Sequence, residues 1–423
     1  MEHLFTLYCR GACAAHRFWR DKLRAFGGQP SSRDERGLES VQRVTVKTAA
    51  RPSSYKVIIG AGALSLLGEV AQGALTVHAR RIALISNRKV FKLYGAQSAE
   101  ALRTAGFDVA HWLMNDGERF KNLRTLKRAL AFLMSARLER SDAVVALGGG
   151  VAGDLAGFAA AVYLRGIAFV QVPTTLLAQV DASVGGKVAV NADAGKNLIG
   201  AFHHPRAVVI DTDTIRTLPL RELTAGWCES VKQGAVGSKE LFDMTYNFLR
   251  REAEDEKHAR VESLERLIAA QVAFKASIVA GDEREDVTRT DSRSRRILNF
   301  GHTTAHALEA ATRYRRFRHG EAVGYGMLVA GEISKRLGLL DRSGLELLSD
   351  AVARCGRLPR ADDLSEDMIL GAISLDKKSV GGHLKWVLLE RIGRARVVDG
   401  REIDKKLLRA SLRAAFERAS KNK

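Results

Sequence analysis

Residues 142–166, "DAVVALGGGVAGDLAGFAAAVYLRG", decide how the chain is read. The run from Ala143 to Leu147 is apolar without alternation, as in a strand covered on both faces, and it ends on three successive glycines. Gly148, Gly150 and Gly153 then fall as G-x-G-x-x-G between that strand and a helix. Residues without a Cβ there let the backbone approach a pyrophosphate and aim helix N-terminal amides at it. The bland reading is a tight strand-to-helix turn. No acidic residue ends a strand about 20 residues further on, so a dinucleotide bound here would hold its ribose in another way.

Working outward, similar Val- and Ile-rich runs alternate with helix-like stretches: "RIALIS" (81–86), "FDVAHWLM" (107–114), "AFVQVPT" (168–174) and "AVVID" (207–211). Buried strands joined by helical crossovers imply a parallel sheet covered on both faces, a doubly wound, Rossmann-like α/β half. After about Leu218 long periodic segments take over, at 221–252, 257–280, 302–312, 320–337 and 343–354, and the second half reads as all-α. One late stretch, "LKWVLLERIG" (384–393) followed by "RARVV", reads as a small hairpin. Asp211, Asp213 and Pro219 interrupt the pattern between the halves. The division expected is an extension over 1–43, an α/β domain over 44–217 and a helical domain over 218–423, with the ligand in the cleft between the last two.

The chain has 423 residues, 46% apolar and 27% charged, enough to bury a substantial core. No apolar stretch reaches the roughly 18 to 20 residues that span a bilayer, so no membrane partner is expected. A formal charge of +19 raises nucleic acid and acidic small molecules as partners. Much of it is scattered over the N-terminal segment, 288–318 and the tail from Lys405, where solvated helix faces explain it, and no nucleic-acid-binding signature accompanies it. Cys9, Cys13, Cys228 and Cys355 make no disulfide framework, which fits a reducing, cytoplasmic location. The first 40 or so residues lack the continuous apolar core of a secretion signal.

Four further stretches carry chemistry. "VPTTLLAQVDASVGGKVAVNADAGKNLIGAF" (172–202) gathers Thr174, Thr175, Asp181, Ser183, Lys187, Lys196 and Asn197 among four glycines. Short polar groups, lysines and a flexible backbone suit an anionic, polyhydroxylated ligand. In "GWCESVKQG" Glu229 and Lys232 share a helix face, which by itself reads as an ordinary ion pair. In "ILNFGHTTAHALE" (297–309) His302 and His306 also share a face, and "FRHGEAV" adds His319 at the start of the next helix. Any three of Glu229, His302, His306 and His319 would hold a zinc ion with one position open, near Lys275, Asp282, Glu285 and Asn299. The H-E-x-x-H pattern of metalloproteases is absent.

From about Val44 to Val398 the chain resembles the 3-dehydroquinate synthase family. The words that carry the resemblance are "DGERFKNL", "GGGVAGDLAGFAAAVYLRG", "VPTTLLAQVDASVGGKVAVN", "GKNLIGAFHHP", "LNFGHTTAHALE", "HGEAVGYGM" and "DKK", in the family's order. The resemblance implies a homodimeric lyase that uses NAD and Zn2+ or Co2+. It converts 3-deoxy-D-arabino-heptulosonate 7-phosphate to 3-dehydroquinate by transient oxidation, phosphate elimination, re-reduction and aldol closure. It makes Glu229, His302 and His319 the metal ligands and moves His306 to the phosphate side or to proton handling. NAD would lie against Asn87, Glu118, Lys121, Gly149, Gly150, Val151, Asp154, Thr174, Thr175 and Thr217. Substrate binding and catalysis would fall to Asp181, Lys187, Lys196, Asn197, Lys232, Lys275, Arg295, Asn299 and His306, with Lys377 or Lys378 closing the site and Arg165 reaching into a partner's.

Some features depart from the family pattern. "DEREDVTRTDSRSRRILNF" is longer and more basic than the usual turn, which leaves Arg293, Arg295 and Arg296 competing for one role. "GHTTAHA" carries Ala305 where a glycine is commoner, and Lys89 in "ISNRKVF" is less typical. Rival readings are a sister cyclase making deoxy-inosose or a valiolone, a metal-dependent polyol dehydrogenase, and a basic nucleic-acid-binding protein.

Overall fold

Strands of continuous apolar sequence need cover on both faces, and in the computed structural model they have it. The structure describes residues 54–250, 257–379 and 384–421, without the side chains of 257–261, 375–379 and 421. The expected extension over 1–43 and the onset of globular pattern at Val44 lie outside the described residues.

Eight strands belong to the first half: β1 (Lys56–Gly60), β2 (Arg81–Asn87), β3 (Asp108–Met114), β4 (Ala143–Gly148), β5 (Ala168–Pro173), β6 (Lys187–Ala192), β7 (Gly195–Phe202) and β8 (Ala207–Asp211). Six of them make one parallel sheet in the order β1-β8-β5-β4-β2-β3. Alternate residues of β2 and β4 face opposite ways: Ala83, Ile85, Val144 and Ala146 join the core under helix α1 (Gly150–Val162), while Ile82, Leu84, Val145 and Leu147 join the core on the other side. Both sets are fully or almost fully buried, which is why these strands read as unbroken apolar runs. Three strands escaped the sequence reading. β1 is short and only partly buried, and β6 and β7 form an antiparallel hairpin outside the main sheet, built from the polar segment that reads as a binding loop.

From β2 the chain moves outward to β3, and from β4 it moves the opposite way to β5. Asn87 and Gly148, at the carboxyl ends of β2 and β4, therefore flank a topological switch point, where open α/β sheets bind ligands.

The second half is helical and includes α2 (Leu220–Gly237), α3 (Lys257–Gly281), α4 (His302–Ala311) and α5 (His319–Arg336). The segment expected to run from 221 to 252 breaks at Ser238, whose extended backbone (φ −160°, ψ 157°) separates α2 from the helix Lys239–Arg250. Helices Arg342–Arg354, Glu366–Ser379 and Lys405–Lys421 complete it, together with the expected antiparallel hairpin, β9 (Lys385–Arg391) and β10 (Arg394–Asp399).

Two glycines set the spacing of these helices. A Cβ on Gly320 of α5 would stand 1.9 Å from the Ala225 carbonyl oxygen of α2, and one on Gly326 would stand 1.9 Å from the carbonyl oxygen of Gly301, the residue that opens α4. Only hydrogen fits at either contact. Arg221 of α2 adds a bidentate grip on the fully buried Glu321 of α5, at 2.7 and 2.6 Å.

Candidate active site

The close approach of α2, α4 and α5 brings one side chain from each to a common point. Glu229 on α2, His302 at the first turn of α4 and His319 at the first turn of α5 have ligand-type atoms within 4.8 Å of one another. Glu229 is fully buried, and neither carboxylate oxygen has a hydrogen-bond partner. The Lys232 ammonium, 2.6 Å from Oε2, is an ion-pair contact outside hydrogen-bond geometry. His302 places Nδ1 3.2 Å from the Phe300 carbonyl oxygen, which assigns the proton to Nδ1 and leaves Nε2 as a lone pair. Burial, then the charges of Lys232 and the neighbouring histidines, push the His302 imidazolium far down, so the ring is neutral. A buried carboxylate with unshared lone pairs beside two imidazoles is a donor set suited to Zn2+ or Co2+.

His306 stands on the exposed rim of the same group, its ring 5.5 Å from that of His302 and 6.0 Å from that of His319. With Glu309 and His319 it forms a second trio of possible donors within 4.8 Å. Glu309 is almost completely buried, bonds to His319 Nδ1 (3.2 Å) and Lys196 Nζ (2.7 Å), and keeps its carboxyl at a pKa of about 2, because its interactions with His319 and Lys196 outweigh its burial.

Behind the metal-type cluster the charges alternate. Lys275 of α3 reaches Asp181 through its carboxylate (2.8 Å) and its backbone carbonyl (2.5 Å). Burial draws the Lys275 ammonium down while Asp181 resists, and the same pairing with Lys275 and Lys232 overcomes burial to hold the Asp181 carboxyl low. Lys187 and Asn299 both bond to Glu285, Asn299 at 3.1 Å. Among the three competing arginines, Arg295 is the buried one. Its guanidinium donates to the carbonyls of Gly185 (2.9 Å) and Glu283 (2.7 Å), whereas Arg293 is exposed and Arg296 bonds to Val287.

On the sheet side, the glycine turn lies at the switch point. A Cβ on Gly149 would meet Thr175 Cγ2 at 2.9 Å and one on Gly148 would meet the Ala152 methyl at 2.8 Å, so part of the glycine requirement is packing, as the bland reading holds. Gly150 and Val151 open α1, and Asp154, in its second turn, bonds to Lys121 (2.5 Å). Lys121 also donates to Asn197 (2.5 Å), and burial notwithstanding, Asp154 and Glu118 keep it charged. Glu118 accepts from Asn191 (2.8 Å), whose side-chain oxygen accepts from the Asn197 backbone N–H (2.9 Å), so Asn197 belongs to the network around Lys121 and Glu118. Asn87 caps the following turn by accepting from Val90 (3.0 Å). The buried Thr174 donates its backbone N–H to the Gly148 carbonyl (3.0 Å), and Thr217 shares a 2.6 Å hydroxyl bond with Tyr94.

Arg165 does not join these groups. It sits exposed in the left-handed region (φ 69°) after Leu164 (φ 49°), beyond the end of α1. The side chains of Lys377 and Lys378 lie outside the described residues. Sequence reasoning missed Glu309 and Asn191. For Glu309 a signal existed, since it follows His302 by seven and His306 by three and so shares their helix face.

Comparisons with known proteins identify the family and the fold. Family models described as "3-dehydroquinate synthase N-terminal" and "3-dehydroquinate synthase C-terminal" match residues 111–225 and 226–379. A 3-dehydroquinate synthase of Pelotomaculum thermopropionicum is 45% identical over 358 residues, 84% of this chain and 93% of the relative. Among solved structures, ValA, a 2-epi-5-epi-valiolone synthase from Streptomyces hygroscopicus subsp. jinggangensis with NAD+ and Zn2+ bound, superposes with a TM-score of 0.77 at 27% identity, covering 88% of this chain and 100% of that one. A 2-deoxy-scyllo-inosose synthase complexed with carbaglucose-6-phosphate, NAD+ and Co2+ gives 0.69 at 26%, covering 85% and 96%.

Proposed function

Because the chain belongs to the 3-dehydroquinate synthase family, we propose that it converts 3-deoxy-D-arabino-heptulosonate 7-phosphate to 3-dehydroquinate and inorganic phosphate, as a carbon–oxygen lyase of the shikimate pathway. The observation that carries this reading is the 45% identity to a 3-dehydroquinate synthase over 84% of the chain, against 27% and 26% to the two sister cyclases.

Glu229, His302 and His319 would hold the Zn2+ or Co2+ ion, a role supported by a buried Glu229 carboxylate whose oxygens accept no hydrogen bond and lie within reach of both imidazoles. Asn87, Glu118, Lys121, Gly149, Gly150, Val151, Asp154, Thr174, Thr175 and Thr217 would hold NAD+, supported by the glycine turn at the switch point. When bound, the ion supplies a Lewis acid and the nucleotide a hydride acceptor that returns what it takes.

The remaining work falls to side chains. Lys187 and Asn299 donate to Glu285 and the charge of Arg295 acts on it, so an anionic substrate group would compete with that carboxylate for the Lys187 and Asn299 donors in the field of Arg295. Lys232 and Lys275, steadied by Glu229 and Asp181, hold buried positive charge against the substrate's hydroxyls and fix one conformer. Lys196 and Asn197 border both the nucleotide network and the metal-type cluster. His306, an exposed imidazole beside two others, suits proton exchange with solvent.

The same reading includes a nucleotide-binding domain over 44–217, a metal- and substrate-binding domain over 218–423, and a homodimer in which Arg165 serves the partner's site. The exposure of Arg165 beside exposed Leu164 and Val162 supports the dimer. A cytoplasmic location is supported by the free, buried thiols of Cys228 and Cys355. No described helix is long and apolar enough to cross a membrane.

The test is an assay of purified protein with zinc or cobalt and substoichiometric NAD+. Phosphate should be released from the heptulosonate phosphate with no net NADH. Stoichiometric NADH would mark a dehydrogenase, and turnover only of sedoheptulose 7-phosphate or glucose 6-phosphate would mark a sister cyclase.

A further inference from the structure

Two of the three proposed metal ligands are imidazoles, and each must present a lone pair rather than an N–H to the ion. For His302 the backbone carbonyl of Phe300 settles this by occupying Nδ1. For His319 the occupant of Nδ1 is a side chain. Glu309 Oε2 lies 3.2 Å from it, while Nε2, on the other side of the ring, faces Glu229 Oε1 at 3.6 Å. The second carboxylate oxygen of Glu309 accepts from Lys196 Nζ at 2.7 Å. That lysine arrives on the β6–β7 hairpin of the sheet half, with its ammonium 5.1 Å from the centre of the Tyr314 ring and 3.8 Å from Glu118. Glu309 is only 2% exposed, and at that depth both of its oxygens are matched to donors, which offsets the cost of burying its charge.

We propose that Glu309 is a positioning residue that sets His319 in the Nδ1–H tautomer for the metal and, through its other oxygen, fixes Lys196 beside the same site. The proposal rests on the reading of Glu229, His302 and His319 as ligands. It makes one carboxylate the link between a metal ligand of the helical half and a substrate-side lysine of the sheet half. The competing arrangement, an ion held by His306, Glu309 and His319, would turn His319 Nδ1 toward the ion and set the Lys196 ammonium against it for the same carboxylate.

The experiment measures zinc affinity by chelator competition, the visible spectrum of the cobalt-substituted protein, and kcat and KM for the heptulosonate phosphate. It uses the full chain and its Glu309→Ala, Glu309→Gln, Glu309→Asp and His302→Ala variants. Loss of a carboxylate behind a metal-bound histidine typically weakens metal affinity 10- to 100-fold, and Glu309→Ala is expected in that range with a raised KM. Glu309→Gln keeps an acceptor for His319 but offers Lys196 a neutral group, so it should raise KM with a smaller loss of metal. Glu309→Asp should recover part of both. His302→Ala should lose the metal altogether. Should the alanine variant fail to fold, the isosteric glutamine variant carries the test. Wild-type metal affinity and KM in Glu309→Ala or, failing that, in Glu309→Gln, with metal lost in His302→Ala, would overturn the positioning role alone. Metal lost from Glu309→Ala as completely as from His302→Ala would make Glu309 a ligand and overturn it as well. Metal retained by His302→Ala would refute the underlying ligand set, and this proposal with it.

Discussion

Removing one imidazole should empty the metal position. His302→Ala is expected to lose bound zinc and activity together, as metal analysis of the purified variant checks. Asp181 gives a second prediction through its pairing with Lys275. Its carboxyl titrates lower in the folded protein than its ordinary value of 3.8, so the unfolded chain takes up the proton first as pH falls. The pair's stabilisation is therefore present above that value and is lost on acidification below it. Asp181→Asn should cost about 3 kcal/mol at neutral pH, because it leaves the buried Lys275 ammonium with the backbone carbonyl but no compensating negative charge at that position, and it should lose less than the wild type on going to pH values below 4. Urea midpoints across pH check both. At this scale the sequence was legible where residue types repeat a known chemical pattern. Glu229, His302 and His319 meet, but spacing could not separate His302 from His306, since both lie on one helix face. Arg295 became distinguishable from Arg293 and Arg296 only by its burial, which depends on the contact with Gly185, 110 positions earlier in the chain.

Helix spacing puts the ligands in reach of one another, and Gly320 is where that spacing is most exposed to change. Gly320→Ala would force α5 off α2 at the Ala225 carbonyl, one residue from His319. Overpacking of this kind costs about 1–3 kcal/mol, and here it should also weaken metal binding because Glu229 and His319 ride on the two helices involved. Thermal midpoint and zinc affinity should fall together; a lowered midpoint with unchanged zinc affinity would separate the packing from the site. The runs that became β2, β4, β5 and β8 were legible because both faces of each strand, or nearly so, demand apolar residues, whereas β3, at the sheet's edge, is only half-buried and was legible from its β-forming residues. The β6–β7 hairpin was not, because Lys187, Asn191, Lys196 and Asn197 follow the needs of a site rather than of a core. The break at Ser238 was hidden for another reason: helix-compatible residues continue on both sides, and only tertiary packing selects the extended backbone between them.

The net charge of +19 acts on the molecule as a whole. A phosphorylated, carboxylated substrate would be drawn toward such a surface, and salt shortens that field, so KM should rise several-fold between low and about 0.5 M ionic strength while kcat changes little. Initial-rate measurements over a salt series check this. The doubly wound half and helical half were legible from the change of period near Leu218, whereas their mutual approach was not, since contacts such as Lys196 with Glu309 join positions 113 apart. All three proposed metal donors, Glu229, His302 and His319, stand on α2, α4 and α5, and none on the sheet that carries the glycine turn. Dialysis against a chelator should therefore yield a protein that still takes up dinucleotide with nearly native affinity, and re-supplied cobalt should find its coordination sphere already assembled.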